Sequence, residues 1–216
     1  MESLAIIAEF NPFHTGHARL IHQVRQAAGP EAAIVIIMSG AFVQRGEPAF
    51  FDKWHRAAWA IDGGADVVIE LPAVYALSSA AGFAQGGVTL AARLGCQALA
   101  CGVEGGTAAD FLSLARRSEG LTACLKAAKK SSAGQQLTDA LMAAAPDEAR
   151  LLQQPNALLA FEYARAMLKQ EQPLTFLPLP RQGRHGDPGL GAAFASASAL
   201  RQAMRCSGTA AACRPY

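Results

Sequence analysis

Residues 4–28 read LAIIAEFNPFHTGHARLIHQVRQAA, and they determine the type of fold. The run at 4–10 is apolar nearly throughout and does not alternate, which is typical of a strand covered on both faces. Asn11 and Pro12 then interrupt regular structure, and apolar residues recur at helical spacing over 16–28. A buried strand that leads through a short turn into a helix predicts the first unit of a parallel α/β sheet.

Other runs repeat this pattern along the chain. AAIVIIM at 32–38 and ADVVIEL at 65–71 predict two more buried strands. QALAC at 97–101 is a weaker fourth strand, and LTFLPL at 174–179 is a possible fifth. Helical patterns lie between them at 52–63, which opens on the N-cap candidate Asp52, and at 78–94. The alternation predicts a Rossmann-like, doubly wound parallel sheet with right-handed crossovers and a ligand site at the carboxyl ends of its strands.

The second half of the chain has a different character. Residues 107–170 are Ala-rich and helical in pattern, so we expect a helical insertion or a helical layer packed on the sheet. A Gly-rich loop follows at 181–193, and a helix with Ser at its cap is expected over 196–205. We therefore predict one domain over 1–205, followed by a frayed tail at 206–216.

The charge and cysteine content of the sequence exclude some classes of function. The net charge of +2 argues against binding nucleic acid by bulk charge alone, although a local basic patch remains compatible with it. Five cysteines without a CxxC pair predict reduced thiols in a cytoplasmic protein, with no disulfide and no zinc site. The N-terminus lacks the features of an export signal. The uncharged run at 71–92 is long enough to cross a bilayer, but its Pro, Gly and Ser residues favour a buried helix entered through a loop, so we predict no membrane association.

Two histidines stand where the first helix is expected to begin. His14 and His17 are three residues apart, so both can reach a phosphate held by the free backbone N–H groups of a helix start. A flat imidazole donor suits the charge that builds up when an α-phosphate is attacked, and Gly16 allows close approach of a nucleotide. For an isolated HxxH pair, two surface histidines in a polar turn would be the better interpretation. A zinc site would need a third ligand that the spacing does not offer.

The strand, the NPFHTGH turn and the helix together resemble the HIGH signature of the nucleotidyltransferase superfamily, whose two histidines match His14 and His17. SASALR at 196–201 resembles the second signature of that superfamily in its ISSTxxR form. The resemblance implies that Ser196, Ser198 and Arg201 hold the β- and γ-phosphates of ATP with the start of their helix.

Longer blocks resemble one family within this superfamily, the bacterial tRNA(Met) cytidine acetate ligases. The segment at 38–88, which contains MSGAFVQRGEPA, DKWHRAAWA and GADVVIELP, is similar to successive blocks of that family. CGVEGG at 101–106 is similar to its FGSE turn, and QPNALLAFEYARAM at 154–167 to its PNN helix. The resemblance extends over about 4–205.

This resemblance implies an ATP-dependent ligase. Such enzymes activate acetate to acetyl-adenylate and transfer the acetyl group to N4 of the wobble cytidine of elongator tRNA(Met). Mg²⁺ is implied as a companion of ATP, without a dedicated set of protein ligands. The implied catalytic residues are His14 and His17. The implied ATP-binding residues are Ile6, Ile7, Ala8, Glu9, Phe10, Asn11, Pro12, Phe13, His14, Thr15, Gly16, His17, Ala18, Arg19, Gly102, Asn156, Arg181, Ser196, Ser198 and Arg201.

Several features leave alternatives open. The family's PNN is PNA here, so Ala157 offers no side-chain amide. Members of the family also continue into a further helical region thought to help hold tRNA. A small-molecule adenylyltransferase and an ATP-binding remnant without tRNA activity therefore stay as alternatives. The charged segment at 44–56 is either a solvated helix start or a lid that contacts acetate or tRNA, and Glu70 is either in an ion pair or in the site. Of the two basic clusters, at 126–130 and 181–187, the second favours a phosphate role for Arg181.

Overall fold

The computed structural model describes residues 2–44, 46–125, 133–181 and 197–207. Five strands form one sheet: β1 Ser3–Ala8, β2 Ala33–Ser39, β3 Val67–Leu71, β4 Ala98–Val103 and β5 Thr175–Pro180. Their order is β3-β2-β1-β4-β5, and every neighbouring pair is parallel. The order reverses direction at β1, as in a doubly wound sheet, so the predicted fold class is confirmed, including the possible fifth strand.

The helices of the described residues are α1 Thr15–Ala28, α2 Lys53–Asp62, α3 Ala73–Ala76, α4 Ala80–Arg93, α5 Ala108–Leu125, α6 Ala133–Ala144, α7 Pro146–Ala149, α8 Pro155–Met167 and α9 Ala197–Ser207, with a 3-10 turn at Arg150–Gln153. Asp52 caps α2, as its position predicted, because its carboxylate accepts from the backbone N–H groups of Trp54 and His55. The short helix α3 has no counterpart in the sequence pattern.

Helices cover both faces of the sheet, and alternate strand residues supply the two cores. Leu4 and Ile6 of β1 pack on the side of α1 and α2. Ala5 and Ile7 pack on the opposite side, under α4, α5 and α8. This alternation is the two-residue period of a strand with both faces buried, and it explains why the sequence of β1 is apolar at successive positions.

The helical segment at 107–170 is a layer on the sheet. Helix α8 packs against α4, α5 and strand β4, and α6 packs on α5. Phe111 of α5 and Phe161 of α8 are fully buried in the same core as Leu99 of β4. Because these helices share one hydrophobic core with the sheet, they complete its second face.

The expectation that β3 is covered on both faces is wrong. Val67 is 43% exposed, and within β3 only Leu71 is fully buried. The physical reason is the position of β3 at the end of the sheet, where β2 is its one neighbouring strand.

The uncharged run at 71–92 mostly forms α4, whose Phe83, Ala84 and Val88 are buried in the core. Within the described part of the chain, no helix has both the length and the apolar character needed to cross a bilayer. Cys96 and Cys101 are buried and free in the structure. The side chains of Cys124, Cys206 and Cys213, the basic cluster at 126–130, the loop at 182–196 and the tail at 208–216 lie outside what the structure describes.

Candidate functional site

The two histidines cap the helix that they open. His14 is the N-cap of α1, and its Nδ1 accepts the backbone N–H of Gly16 at 3.0 Å. His17 accepts the backbone N–H of His14 on its own Nδ1 at 3.3 Å, which completes a reciprocal capping box made from imidazoles. A Cβ on Gly16 would lie 2.8 Å from Cε1 of His14, so the glycine is needed for the His14 ring to fold back over the helix start.

Both imidazoles are neutral at pH 7. Their rings stack with centroids 3.7 Å apart. Burial, followed by the positive charge of Arg181, lowers the pKa of His14 from 6.5 to about 4. Burial, His14 and Arg181 all lower the pKa of His17. Because each Nδ1 accepts a hydrogen bond, the proton of each neutral ring must be on Nε2. The pair therefore offers two N–H donors without a fixed charge, and both side chains are only half-buried.

Aromatic residues of the turn support His17. The Phe10 ring is buried and lies 4.8 Å from the His17 ring, centroid to centroid, and the Phe13 ring lies 5.7 Å from it. Phe10 and Phe13 also pack edge to face on each other. The apolar members of the sequence motif thus fix the orientation of the histidine.

A second group of predicted residues lies beside the carboxyl end of β4. The sequence predicted a strand that ends at residue 101, but β4 extends to Val103 and so includes Gly102. The aliphatic stem of Arg181 packs against Gly102. A Cβ on Gly102 would lie 2.8 Å from Cγ of Arg181, so the strand needs glycine here. The backbone N–H of Arg181 donates to the Val103 carbonyl at 2.8 Å, and its Nη1 donates to Oδ1 of Asn156 at 3.1 Å.

Glu104 joins this group, and the sequence motifs did not single it out as a site residue. Its carboxylate accepts from Nδ2 of Asn156 and from the backbone N–H groups of Asn156 and Ala157, so it caps helix α8. Ala157 is buried, and its backbone N–H supplies the bond to Oε2 of Glu104 at 3.1 Å. The sequence does show an acidic residue, Glu104, just after β4. It does not show that the partner of this residue is Asn156, which lies 52 positions away.

The second sequence signature meets the first. Arg201 of α9 donates from Nη1 to the backbone carbonyl of Asn11, 190 positions away, and from Nη2 to Oγ of Ser198 at 3.3 Å. Oδ1 of Asn11 accepts the backbone N–H of Phe50 at 2.7 Å, so the same residue also anchors the loop after β2. Ser196, the remaining predicted residue of this signature, lies outside the described residues.

Most of the other predicted ATP-binding residues lie on the strand end and the first turns of α1. The side chains of Ile6 and Ile7 are buried in opposite cores, so these two residues have only backbone to offer a ligand. Ala8, Glu9, Phe13, Ala18 and Arg19 are half-buried, Pro12 is buried and Thr15 is exposed. Oε1 of Glu9 accepts the backbone N–H of Gln44 at 2.7 Å, which joins the β1 end to the loop after β2.

The charged segment at 44–56 is mostly structural. Arg56 is fully buried, and it donates to the backbone carbonyls of Glu9, Ser39, Gly40 and Phe51. Arg56 is therefore not part of a solvated helix start, because its head lies between the ends of β1 and β2, whereas the exposed Asp52 caps α2 as that interpretation expected. The interpretation of the segment as a lid stays a prediction. Lys53 forms an ion pair with Glu70 at 2.6 Å. Arg45 lies outside the described residues.

Across the residue ranges that the structure describes, no group of three His, Cys, Asp or Glu side chains is arranged to hold a metal ion. The donors of the site are imidazole Nε2–H groups and guanidinium N–H groups, together with the start of a 14-residue helix. Such a set binds anions, phosphate in particular.

Three comparisons with known proteins agree with this geometry. A family model described as HIGH Nucleotidyl Transferase matches residues 1–215. The chain is 41% identical to a tRNA(Met) cytidine acetate ligase of Syntrophomonas wolfei and 40% identical to one of Pediococcus pentosaceus, over 94% of its own length. It covers 51% and 53% of these two proteins, so it spans about half the length of the curated relatives it matches.

The solved structures give the same result. A crystal structure of Thermotoga maritima TmcAL bound with alpha-thio ATP superposes with a TM-score of 0.83 at 32% identity, over 96% of this chain and 51% of that one. The apo form of the same protein gives a TM-score of 0.82. The resemblance predicted from the sequence blocks is confirmed by these matches. With two histidines at the start of α1, a doubly wound sheet and a family match over nearly its whole length, the chain belongs to the HIGH nucleotidyl transferase family.

Proposed function

We propose that this chain uses ATP to activate acetate to acetyl-adenylate, with release of pyrophosphate, and that it transfers the acetyl group to N4 of the wobble cytidine of elongator tRNA(Met). The names of the relatives, tRNA(Met) cytidine acetate ligase, support the substrates. The alpha-thio ATP bound by the Thermotoga maritima protein supports ATP as the nucleotide.

One observation carries the proposal: the two sequence signatures meet at the carboxyl end of β1. The neutral imidazoles of His14 and His17 lie at the start of α1, and Arg201 of α9 is bonded to the turn that precedes them. The triphosphate lies, in this proposal, between the turn at 14–17 and the start of α9. Gly102, Asn156 and Arg181 bind the nucleotide from the β4 side.

Attack of acetate on the α-phosphate requires that the two reactants be positioned and that the negative charge on the phosphate oxygens be neutralised. An acetate oxygen attacks the α-phosphorus, a new P–O bond forms, and the bond to the pyrophosphate oxygen breaks. Negative charge builds on the phosphate oxygens, where preorganised N–H donors are most effective. Neutral His14 and His17 donate from Nε2 and need no proton transfer for this role. Mg²⁺ would accompany ATP as a counter-ion of the phosphates, and among the described residues no cluster of three His, Cys, Asp or Glu is arranged to hold it.

The second step uses the mixed anhydride. N4 of the cytidine attacks the acetyl carbonyl, AMP leaves, and the nitrogen gives up one proton. A net charge of +2 gives little long-range attraction for RNA. Recognition of the tRNA therefore depends on local contacts, and the proposal for this half-reaction rests on the names of the relatives alone.

The experiment compares pyrophosphate release in three mixtures: ATP alone, ATP with acetate, and ATP with acetate and elongator tRNA(Met). We expect release to require acetate and to be sustained only with tRNA, with N4-acetylcytidine detected by mass spectrometry. Release supported by nicotinamide mononucleotide or a phosphopantetheine, and not by acetate, would favour a small-molecule adenylyltransferase. ATP binding without any release would favour a catalytically idle nucleotide-binding protein.

The placement of the nucleotide is tested separately by a structure of the chain with an ATP analogue. We expect the triphosphate to contact both histidines. A nucleotide more than roughly 10 Å from both, about two helical turns, would contradict the proposed site.

A further inference from the structure

We propose that Glu104 is a positioning residue that fixes Arg181 in the anion site by acting through Asn156. This inference rests on the proposed use of Arg181 toward ATP, and it assigns a role to a residue that none of the sequence motifs designated.

The first step is the orientation of the Asn156 amide. Its Nδ2 donates to Oε1 of Glu104, and its Oδ1 accepts from Nη1 of Arg181 at 3.1 Å. With the amide reversed, its oxygen would face the carboxylate and its N–H₂ would face the guanidinium, and both contacts would be repulsive. The carboxylate of Glu104 therefore sets which amide atom is available to Arg181.

The second step is the rigidity of Glu104. Its two oxygens also accept the backbone N–H groups of Asn156 at 3.4 Å and Ala157 at 3.1 Å, at the start of the 13-residue helix α8. A carboxylate at a helix start is favoured by the unpaired N–H groups and by the helix dipole. Glu104 is thus bonded to the backbone of the residue whose side chain it orients.

The third step is the state of Arg181. Its stem rests on Gly102, its backbone N–H is bonded to β4, and its head is bonded to Asn156. Arg181 is exposed. Among the described residues, no carboxylate forms an ion pair with it. A long cationic side chain loses considerable rotamer freedom when it is held, so a neutral amide acceptor that holds it leaves its charge available for an anion.

The fourth step connects Arg181 to the histidines. Its positive charge is one of the causes that lower the pKa of both His14 and His17. This influence supports the proposed use of all three side chains toward one anion. Displacement of Arg181 should raise the pKa of His14 toward its ordinary value, and this effect needs no bound nucleotide.

The test is a double-mutant cycle with Glu104→Gln, Asn156→Ala and the double variant. We expect each single variant to weaken ATP binding about tenfold by calorimetry, and the double variant to be no weaker than the worse single one. In each variant the pKa of His14, followed by NMR without nucleotide, should rise to about the value in Arg181→Gln. Asp110→Asn is the matched control, since the hydrogen bonds of Asp110 are to Thr107 at the start of α5 and not to Asn156 or Arg181. It should leave both quantities unchanged.

Three outcomes would overturn the inference. In the first, Glu104→Gln lowers the melting temperature but leaves ATP affinity and the pKa of His14 as in the wild type. Glu104 would then be a helix cap only. A second is additive losses in the double variant, which would mean that Glu104 does not act through Asn156. The third is an unchanged His14 pKa in all variants except Arg181→Gln. If the wild-type chain binds no ATP, the proposed function fails, and the NMR measurement still decides whether Glu104 positions Arg181.

Discussion

At the scale of single residues, each of His14 and His17 has two ring nitrogens that serve different purposes: one caps helix α1, and the other is the donor to ATP in the proposed function. Nδ1 of each ring accepts a backbone N–H at the start of α1, and this bond leaves the proton on Nε2. A residue that only capped the helix could equally be Ser, Asp or Asn. An imidazole adds a second nitrogen that can donate to an anion from the same position, and under the proposed function this is the reason for histidine at both places.

The first prediction separates these two purposes at His17. We expect His17→Gln to keep the helix start, because Gln at this position can also accept the N-cap N–H. It should nevertheless lower acetate-dependent pyrophosphate release by about 10²–10³, or about 2.7–4 kcal/mol, because the flexible amide of Gln, held at the helix start by its Oε1, does not fix its N–H₂ group where the rigid imidazole holds Nε2–H. ATP affinity should change less than about tenfold if the donor acts mainly in the transition state.

His17→Ala is the companion variant, and it should lose the same activity and also some stability through the missing cap. Melting temperatures and single-turnover rates measured together separate the two effects. A folded His17→Gln protein with normal turnover would remove His17 from the mechanism.

The second prediction concerns pH. Burial and Arg181 hold the pKa of His14 at about 4, against 6.5 for an ordinary histidine. Between about pH 6.5 and pH 4 the unfolded chain takes up a proton at His14 that the folded chain does not. The free energy of unfolding should therefore fall as the pH is lowered through this window, by at most about 3 kcal/mol, and should be steady above it.

The control is His14→Asn, which keeps an N-cap acceptor and removes the titrating group. Urea denaturation at several pH values between 7.5 and 4 should give a shallower dependence for this variant than for the wild type. The remaining slope belongs to His17 and to other groups that both proteins share. Equal slopes in the two proteins would mean that His14 is not buried as a neutral ring.

At the scale of elements, helix α4 illustrates how close packing depends on a missing side chain. Gly86 and Gly87 lie in the helix interior, where glycine is unfavourable. A Cβ on Gly86 would lie 2.2 Å from Cγ of Tyr75 in α3, and one on Gly87 would lie 2.6 Å from Cδ1 of Ile7 in β1. The two glycines let α4 approach both α3 and the sheet, so the contact between elements outweighs the local helix preference.

The third prediction compares two Gly→Ala substitutions in helices. Gly86→Ala should destabilise the protein by about 1–3 kcal/mol, because the ring base of Tyr75 cannot move without shifting α3. Gly120→Ala is the matched control within α5, where an added Cβ meets no atom within 4 Å. It should stabilise the protein by about 0.5–1 kcal/mol through helix preference. Chemical denaturation gives both values, and the same sign for the two variants would refute the packing argument.

At the scale of the whole molecule, the site is held together by bonds between distant parts of the chain. Arg56 joins the ends of β1 and β2 to the loop that precedes α2 through four backbone carbonyls. Arg201 joins α9 to the turn before α1. In both cases a guanidinium donates to backbone carbonyls at or after the strand ends, where buried acceptors need a donor.

The fourth prediction follows from the burial of Arg56. Arg56→Lys keeps the charge, but an ammonium has three donors and cannot reproduce the spread of the guanidinium. We expect a loss of at least about 1.5 kcal/mol in the free energy of unfolding, since at least one charged hydrogen bond disappears. Arg93→Lys is the control, because Arg93 lies exposed in the last turn of α4. It should change stability by less than about 0.5 kcal/mol. Equal stability of the two variants would show that the buried contacts of Arg56 contribute little.

The sequence by itself determined the five strands, the helices between them except the short α3, and the position of two histidines at the start of the first helix. These follow from periods of two and 3.6 residues, from caps such as Asp52 and from the histidine spacing, and all of these patterns involve neighbours along the chain. The same local information placed His14 and His17 correctly at the start of α1, and Arg201 about one turn into α9.

Only the tertiary structure decided which distant residues meet. The strand order brings Glu104 of the β4 end to Asn156 of α8 and Arg181 of the β5 end, and none of these pairings is written in a local pattern. The same holds for Arg56, which lies among charged and polar neighbours in the sequence yet is fully buried. The exposure of Val67 likewise follows from the position of β3 at the edge of the sheet. The physical reason is that a hydrogen bond depends on distance in space, and folding sets that distance for residues 52 or 190 positions apart in the chain.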